Sequence, residues 1–228
     1  MANTQLFTGK ALFYANARPG YPDAALDYIK SIVPANAVFA DIGAGTGKFT
    51  QLLAKTGYTV YAVEPNADMR EQLALTLAPY KNAKIINGSA EATGLPDGSM
   101  DVVTCAQALH WFDPDTFRAE CGRIGKPGVM VISVYNNMGA GANSSNHSKT
   151  SAQMFFTNPT MREFPNPISY TRESWRQYMT SHSHNPLPDD PNYAAHIAEA
   201  DATFDRESIN GILRHDAVTQ VYSEIIGN

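Results

Sequence analysis

Apolar residues recur along this chain in short continuous blocks, separated by stretches whose apolar positions fall on one helical face. Residues 1–20 form a polar lead-in that runs into a tight turn, Arg18-Pro19-Gly20-Tyr21-Pro22. The next stretch, AALDYIKSIV, sets Ala25, Ile29, Ile32 and Val33 broadly on one side. It predicts a helix capped by Asp23 and ended by Pro34. The blocks AVFADIG and YTVYAVEP predict buried strands, each followed by a helical pattern: KFTQLLAKTG, stopped by Gly57, and ADMREQLALTL. AKIINGSAEA reads as a strand and loop, MDVVTCAQA as a strand, PDTFRAECGRIGK as a helix, and GVMVISVYN as the most apolar strand. Strands alternating with helices of this length predict βαβ units and a parallel sheet over residues 35–136.

Beyond that point the pattern changes. NNMGAGANSSNHSKTSAQ has little to bury and reads as a mobile loop or linker, with residues 139–150 expected to order only when substrate is present. SYTRESWRQYMTS and PNYAAHIAEADATFDRES predict helices separated by the proline-broken HSHNPLPDDP. GILRHDAVTQVYSEII alternates roughly and predicts a terminal strand joining the sheet edge.

Composition narrows the function. At 228 residues with 43% hydrophobic and 17% charged positions, the chain suits one generous globular domain. A formal charge of −5 supplies no basic footprint for nucleic acid. Two cysteines, Cys105 and Cys121, suit free thiols in a reducing cytosol, and no apolar run reads as a signal peptide or membrane span. The expectation is therefore a cytoplasmic protein that binds neither nucleic acid nor membrane, as a monomer or weak homodimer.

The chemistry concentrates at Phe39-Ala40-Asp41-Ile42-Gly43-Ala44-Gly45-Thr46-Gly47-Lys48. A strand ends in an acid, and three alternating glycines then lead into a helix. This arrangement lets backbone turn sharply and lets a ligand lie against it, which predicts a nucleotide-type site. The dinucleotide fingerprint G-x-G-x-x-G fails because Lys48 stands at its third glycine, and the Walker spacing fails too. Glu64 ends the next strand about 20 residues on, where a carboxylate reaches ribose hydroxyls.

D-x-G-x-G-T-G followed by V-E-P-N-x-x-M-R resembles motifs I and II of class I S-adenosylmethionine (SAM)-dependent methyltransferases. G-S-A-E-A-T-G-L-P-D-G-S-M-D-V-V-T is similar to that family's adenine loop and fourth strand. A-L-H-W-F-D, Y-A-N-A-R-P-G-Y-P and Y-T-R-E-S-W-R-Q-Y-M-T-S-H-S-H-N-P resemble its trans-aconitate methyltransferase-like, type 11 subgroup. The resemblance implies a Rossmann-like α/β fold, a seven-stranded mostly parallel sheet with helices on both faces. It implies one domain over 1–228: an N-terminal lid and helix (1–34), a cofactor-binding core (35–136), and substrate-side helices and terminal strands (137–228).

The same resemblance implies SAM as cofactor, S-adenosylhomocysteine as product and a small-molecule acceptor, with oxygen or a carboxylate favoured. Carried over by residue, Gly43, Ala44, Gly45 and Gly47 line the methionine and ribose, with Asp41 fixing the turn or the amino group. Glu64 grips the ribose; Pro65, Asn66 and Met69 lie along the adenine; Ser89, Ala90 and Glu91 flank its amine. Gln107 and Ala108 approach the sulfonium, and Tyr14 and Arg18 cover the cofactor. The stretch K-P-G-V-M-V-I-S-V-Y-N carries a single glycine where relatives often have two.

On the substrate side stand Tyr21, His110 and Trp111. His110 is either a general base or a loop-capping hydrogen bonder, and Trp111 is either pocket wall or core. Arg18 is either a carboxylate ligand or a surface arginine on a turn. Trp175 and Tyr178 suggest core, while His182 and His184 lack metal-site spacing, so no metal is expected. The alternatives are a silent methyltransferase-like module acting by SAM or partner binding, and an NAD oxidoreductase disfavoured by Lys48. Base amino methylation is disfavoured because Gln107-Ala108-Leu109-His110 occupies the place of an N-P-P-Y-like motif.

Overall fold

A computed structural model describes residues 8–138 and 147–226. The elements run α1 (Ala11–Ala17), α2 (Asp23–Ile32), β1 (Val38–Ile42), α3 (Thr50–Lys55), β2 (Thr59–Val63), α4 (Ala67–Leu77) and β3 (Ala83–Ile86). There follow β4 (Met100–Ala106), a single 3-10 turn (Leu109–Trp111), α5 (Pro114–Ile124), β5 (Gly125–Asn137), α6 (His147–Phe155), β6 (Thr160–Pro165) and β7 (Ile168–Tyr170). The chain closes with α7 (Arg172–Thr180), α8 (Tyr193–Glu207), β8 (Leu213–His215) and β9 (Val218–Ile225).

The main sheet has seven strands in the order β3-β2-β1-β4-β5-β9-β6. The first five are parallel, and β9 runs antiparallel between β5 and β6. This is the expected α/β sheet with helices on both faces. Alternate residues of each strand supply two cores. Phe39, Val102 and Ile132 pack with Ala25 and Ile29 of α2 and Leu53 of α3, while Ala40, Val103 and Val131 pack with Phe117 of α5 and Phe155 of α6. Phe39 and Phe117 are fully buried, each contributing about 2–3 kcal/mol by removing apolar surface from water. Parallel order reverses direction between β1 and β4, so the cleft opens at the carboxyl ends of those two strands.

Four expectations need correction. Asp23 is the first residue of α2 and makes no side-chain cap; it favours the helix as an acid in the positive first turn. The stretch read as linker ends in a helix, because Ala152 and Phe155 of α6 find the sheet face; residues 139–146 lie outside the described part, and with them most of the segment expected to order on substrate binding. The terminal segment divides into β8 and β9, and β9 is interior to the sheet. The edge belongs to β6, whose exposed pattern gave no apolar signal. β7 and β8 pair separately and, with α7, α8 and Ala17 of α1, form a second small core around Tyr170, Trp175 and Phe204.

Candidate functional site

The turn after β1 is tied to the end of β2: the Gly43 and Ala44 N–H groups both donate to the Val63 carbonyl, at 2.9 and 3.1 Å. Gly43, Gly45 and Gly47 all have positive φ, at 68°, 57° and 86°. Gly43 is irreplaceable for a second reason. A Cβ there would lie 2.8 Å from Ala108 Cβ, so the turn after β1 touches the loop after β4 without room for a side chain. Asp41 is buried and holds the base of the turn, accepting from the Thr104 hydroxyl (2.8 Å) on Oδ1 and from Thr50 (2.6 Å) on Oδ2. Burial raises its pKa to about 6 against the pull of both hydroxyls. These bonds tie the end of β1 to β4 and to the start of α3.

Glu64 follows β2. Its Oε2 accepts the Gly45 N–H at 2.8 Å and its Oε1 the Asn66 N–H at 2.9 Å. Burial raises its pKa, opposed by those two donors and by Arg70. Each oxygen keeps lone-pair capacity after one bond. The carboxylate is thus locked in orientation and still able to accept a pair of neighbouring hydroxyls. Asn66 caps α4 through its Oδ1, which accepts the Met69 N–H at 3.0 Å.

One cleft gathers Tyr14, Arg18, Tyr21, Asp41, Gly43, Ala44, Gly45 and Gln107 from the expected set. Arg18 lies between the rings of Tyr14 and Tyr178, with its guanidinium carbon 5.1 and 5.5 Å from their centroids. Its Nε is buried with no hydrogen-bond partner, and so is the Thr46 hydroxyl, which also lines the cleft. Gln107 carries φ of 60°, an uncommon conformation for a non-glycine residue, where β4 ends at the cleft. The lining also includes Pro19, Lys48, Asn136, Met138 and Tyr178. None of these was expected there, and Tyr178 looked like core because its apolar ring sits three residues from buried Trp175.

Other expected residues lie outside this cleft. Met69 is buried at the start of α4, and Pro65 binds Arg70 through its carbonyl at 2.7 Å. Ser89, Ala90 and Glu91 form the turn after β3; Ala90 is buried in the core, whereas Glu91 is exposed and accepts the Asp113 N–H at 3.4 Å. His110 has both its N–H and its ring Nδ1 on the Tyr135 hydroxyl, at 3.0 and 3.1 Å, which ties this loop to β5. Trp111 packs against His110 and His184, at ring distances of 4.7 and 6.1 Å. The lead-in crosses the start of α4: the Gly9 N–H donates to Asp68, and Lys10 Nζ donates to the carbonyls of His182, Ser183 and Asn185. Among the described residues no His, Cys, Asp and Glu cluster fits a metal, both cysteines are free and buried, and no helix is long and apolar enough to cross a membrane.

Comparison with known proteins gives this geometry a relation. A family profile described as "Methyltransferase domain" matches residues 40–133. An uncharacterized methyltransferase of Mycobacterium tuberculosis is 40% identical over 124 residues, covering 54% of this chain and 49% of the relative. The chain thus matches about half the length of that relative. A candidate type II methyltransferase from Anaeromyxobacter dehalogenans superposes with a TM-score of 0.69 at 22% identity, covering 91% of this chain and 97% of that one. Haemonchus contortus phosphoethanolamine N-methyltransferase 2, solved with phosphomonomethylethanolamine and S-adenosylhomocysteine, gives 0.54 at 15% identity, covering 99% and 58%. At those identities the structures speak for the fold. These relatives do not name the trans-aconitate-like subgroup; residues 40–133 match a methyltransferase domain, and the fold is the Rossmann-like one of class I methyltransferases.

Proposed function

We propose that the protein transfers a methyl group from SAM to an oxygen of a small-molecule acceptor, a carboxylate being the simplest case. The observation that carries this reading is Glu64. It is a buried carboxylate at the end of β2, oriented by two backbone N–H groups and retaining acceptor capacity for a vicinal diol. The residues fit the rest of the cofactor as well. Gly43 and Gly45 bring bare backbone to the cleft, and the unpartnered Arg18 Nε and Thr46 hydroxyl are donors suited to an amino-acid carboxylate.

When bound, SAM supplies an electrophilic methyl on a sulfonium. The chain's own contribution is to orient the acceptor and exclude water. Gln107 brings the end of β4 to the cleft, while Tyr14, Tyr21 and Tyr178 wall it with aromatic surface. The one carboxylate on the lining, Asp41, is engaged on both oxygens by threonines. An acceptor already ionised at neutral pH needs no base there. For an acceptor that must lose a proton, His110 is the base we propose, with Trp111 beside it on the acceptor side.

Incubating the purified protein with methyl-labelled SAM and a panel of small carboxylic acids tests the proposal. Labelled ester formed only with the protein present is the expected result. Tight SAM binding with no transfer to oxygen, nitrogen, sulfur or carbon acceptors would favour a silent binding module instead.

A further inference from the structure

Gly20 sits in the turn between α1 and α2, flanked by the cleft residues Arg18, Pro19 and Tyr21. Nothing lies within 4 Å of where its Cβ would be, so no close packing holds this turn at Gly20. Its carbonyl is what is held. Asn136 Nδ2 donates to it at 2.9 Å and Asn166 Nδ2 at 3.1 Å. Asn136 Oδ1 in turn accepts from the Thr219 hydroxyl at 2.6 Å and from Asn166 Nδ2 at 3.2 Å, and Asn166 Nδ2 lies 3.2 Å from Thr219 Oγ1.

These three side chains come from separate parts of the sheet. Asn136 lies near the end of β5, Thr219 is its paired residue on β9, and Asn166 follows β6, with its N–H on the Ala217 carbonyl at 2.8 Å. Thr219 is fully buried. The antiparallel end of the sheet therefore reaches across to the arm that covers the parallel end. Two amides on one exposed carbonyl, linked to each other and to the buried Thr219, make a clasp.

We propose that Asn136, Asn166 and Thr219 are positioning residues: they clasp the Gly20 carbonyl so that Arg18 and Tyr21 face the cleft. This rests on the cofactor reading above, and it adds that the clasp acts on the amino-acid end of the ligand and leaves the nucleoside end alone. Two probes separate those ends. S-adenosylhomocysteine carries the amino-acid tail, and 5′-methylthioadenosine is the same nucleoside thioether without it.

The test is calorimetric titration of both probes into the wild type, Thr219→Val, Asn166→Ala and Thr219→Ser, each checked for folding by thermal melting. Thr219→Val and Asn166→Ala are expected to weaken S-adenosylhomocysteine about five- to tenfold, the scale of one hydrogen bond. Methylthioadenosine is expected to stay within about twofold, and Thr219→Ser, which keeps the hydroxyl, to restore tight binding. Should Thr219→Val fail to fold, Asn166→Ala carries the same comparison. Equal weakening of both probes would overturn the clasp in favour of general structural support, and unchanged S-adenosylhomocysteine affinity would overturn it outright. A wild type that binds neither probe would overturn the cofactor reading, and the clasp with it.

Discussion

On the sheet side, the buried carboxylates Asp41, on the cleft lining, and Glu64, beside it, hold a hydrogen bond on every oxygen. In the α1, α7, α8 and β7–β8 layer, the Arg18 Nε, Tyr170 hydroxyl, His196 Nε2 and His215 Nε2 atoms are buried with none. The two carboxylates of the first region are held before any ligand arrives, although the Thr46 hydroxyl beside them is buried without a partner. The second carries desolvated polar atoms whose cost is recovered only by a partner or by the packing around them.

The comparison breaks first at Glu64. Glu64→Ala removes both acceptors and frees the Gly45 and Asn66 N–H groups, and S-adenosylhomocysteine affinity is expected to fall about 100-fold or more. Calorimetry reads this directly, and a loss under about threefold would remove Glu64 from the site. Arg18→Met probes the opposite wall. It should cost about tenfold for S-adenosylhomocysteine and leave methylthioadenosine unchanged, since the guanidinium is assigned to the tail; parallel losses would contradict that assignment.

Asp41 sharpens the sheet side through pH. Its native pKa of about 6 lies above the ordinary carboxylate value, so the unfolded chain holds fewer protons between about pH 4 and 6. Its contribution therefore makes stability fall as pH rises through that window. Asp41→Asn keeps a group for both threonines and removes the slope, so the variant's urea midpoint should rise relative to that of the wild type as pH rises from about 4 to about 6. A pH-independent difference would contradict the shift. The smallest effect is at Gln107, where Gly adopts the positive φ without strain. Gln107→Gly should melt no lower than wild type, whereas Gln107→Val should lose about 1 kcal/mol or more. The reverse order in thermal melts would show that the side chain, and not the backbone, governs that position.

These regions also differ in how far they could be read from the sequence. Strands β1, β2, β4 and β5 and the Gly43–Gly47 turn rest on local signals, apolar blocks bounded by glycine and helix starts, and they fall where expected. Glu64 was legible for the same reason, as an acid at the end of a recognisable strand. What escaped depends on distant partners. β6 has no apolar face to announce it, and α6 hides in a Ser- and Asn-rich stretch whose anchors, Ala152 and Phe155, come late. β9 has the pattern of a strand, but its place between β5 and β6 is decided by pairing across the chain. Thr50 and Thr104 beneath Asp41, and Asn136, Asn166 and Thr219 behind Gly20, lie far apart in sequence, and no spacing rule joins them. His110 offered two roles to the sequence; its bonds to the Tyr135 hydroxyl hold the ring in place and do not choose between them.

The most direct test of the central claim is to titrate the wild-type protein with S-adenosylhomocysteine and, separately, with NAD. Saturable binding of S-adenosylhomocysteine and none of NAD is the predicted result. Binding of NAD, or of neither, would contradict the assignment of the cleft at Gly43–Gly45, with the adjoining Glu64, to SAM.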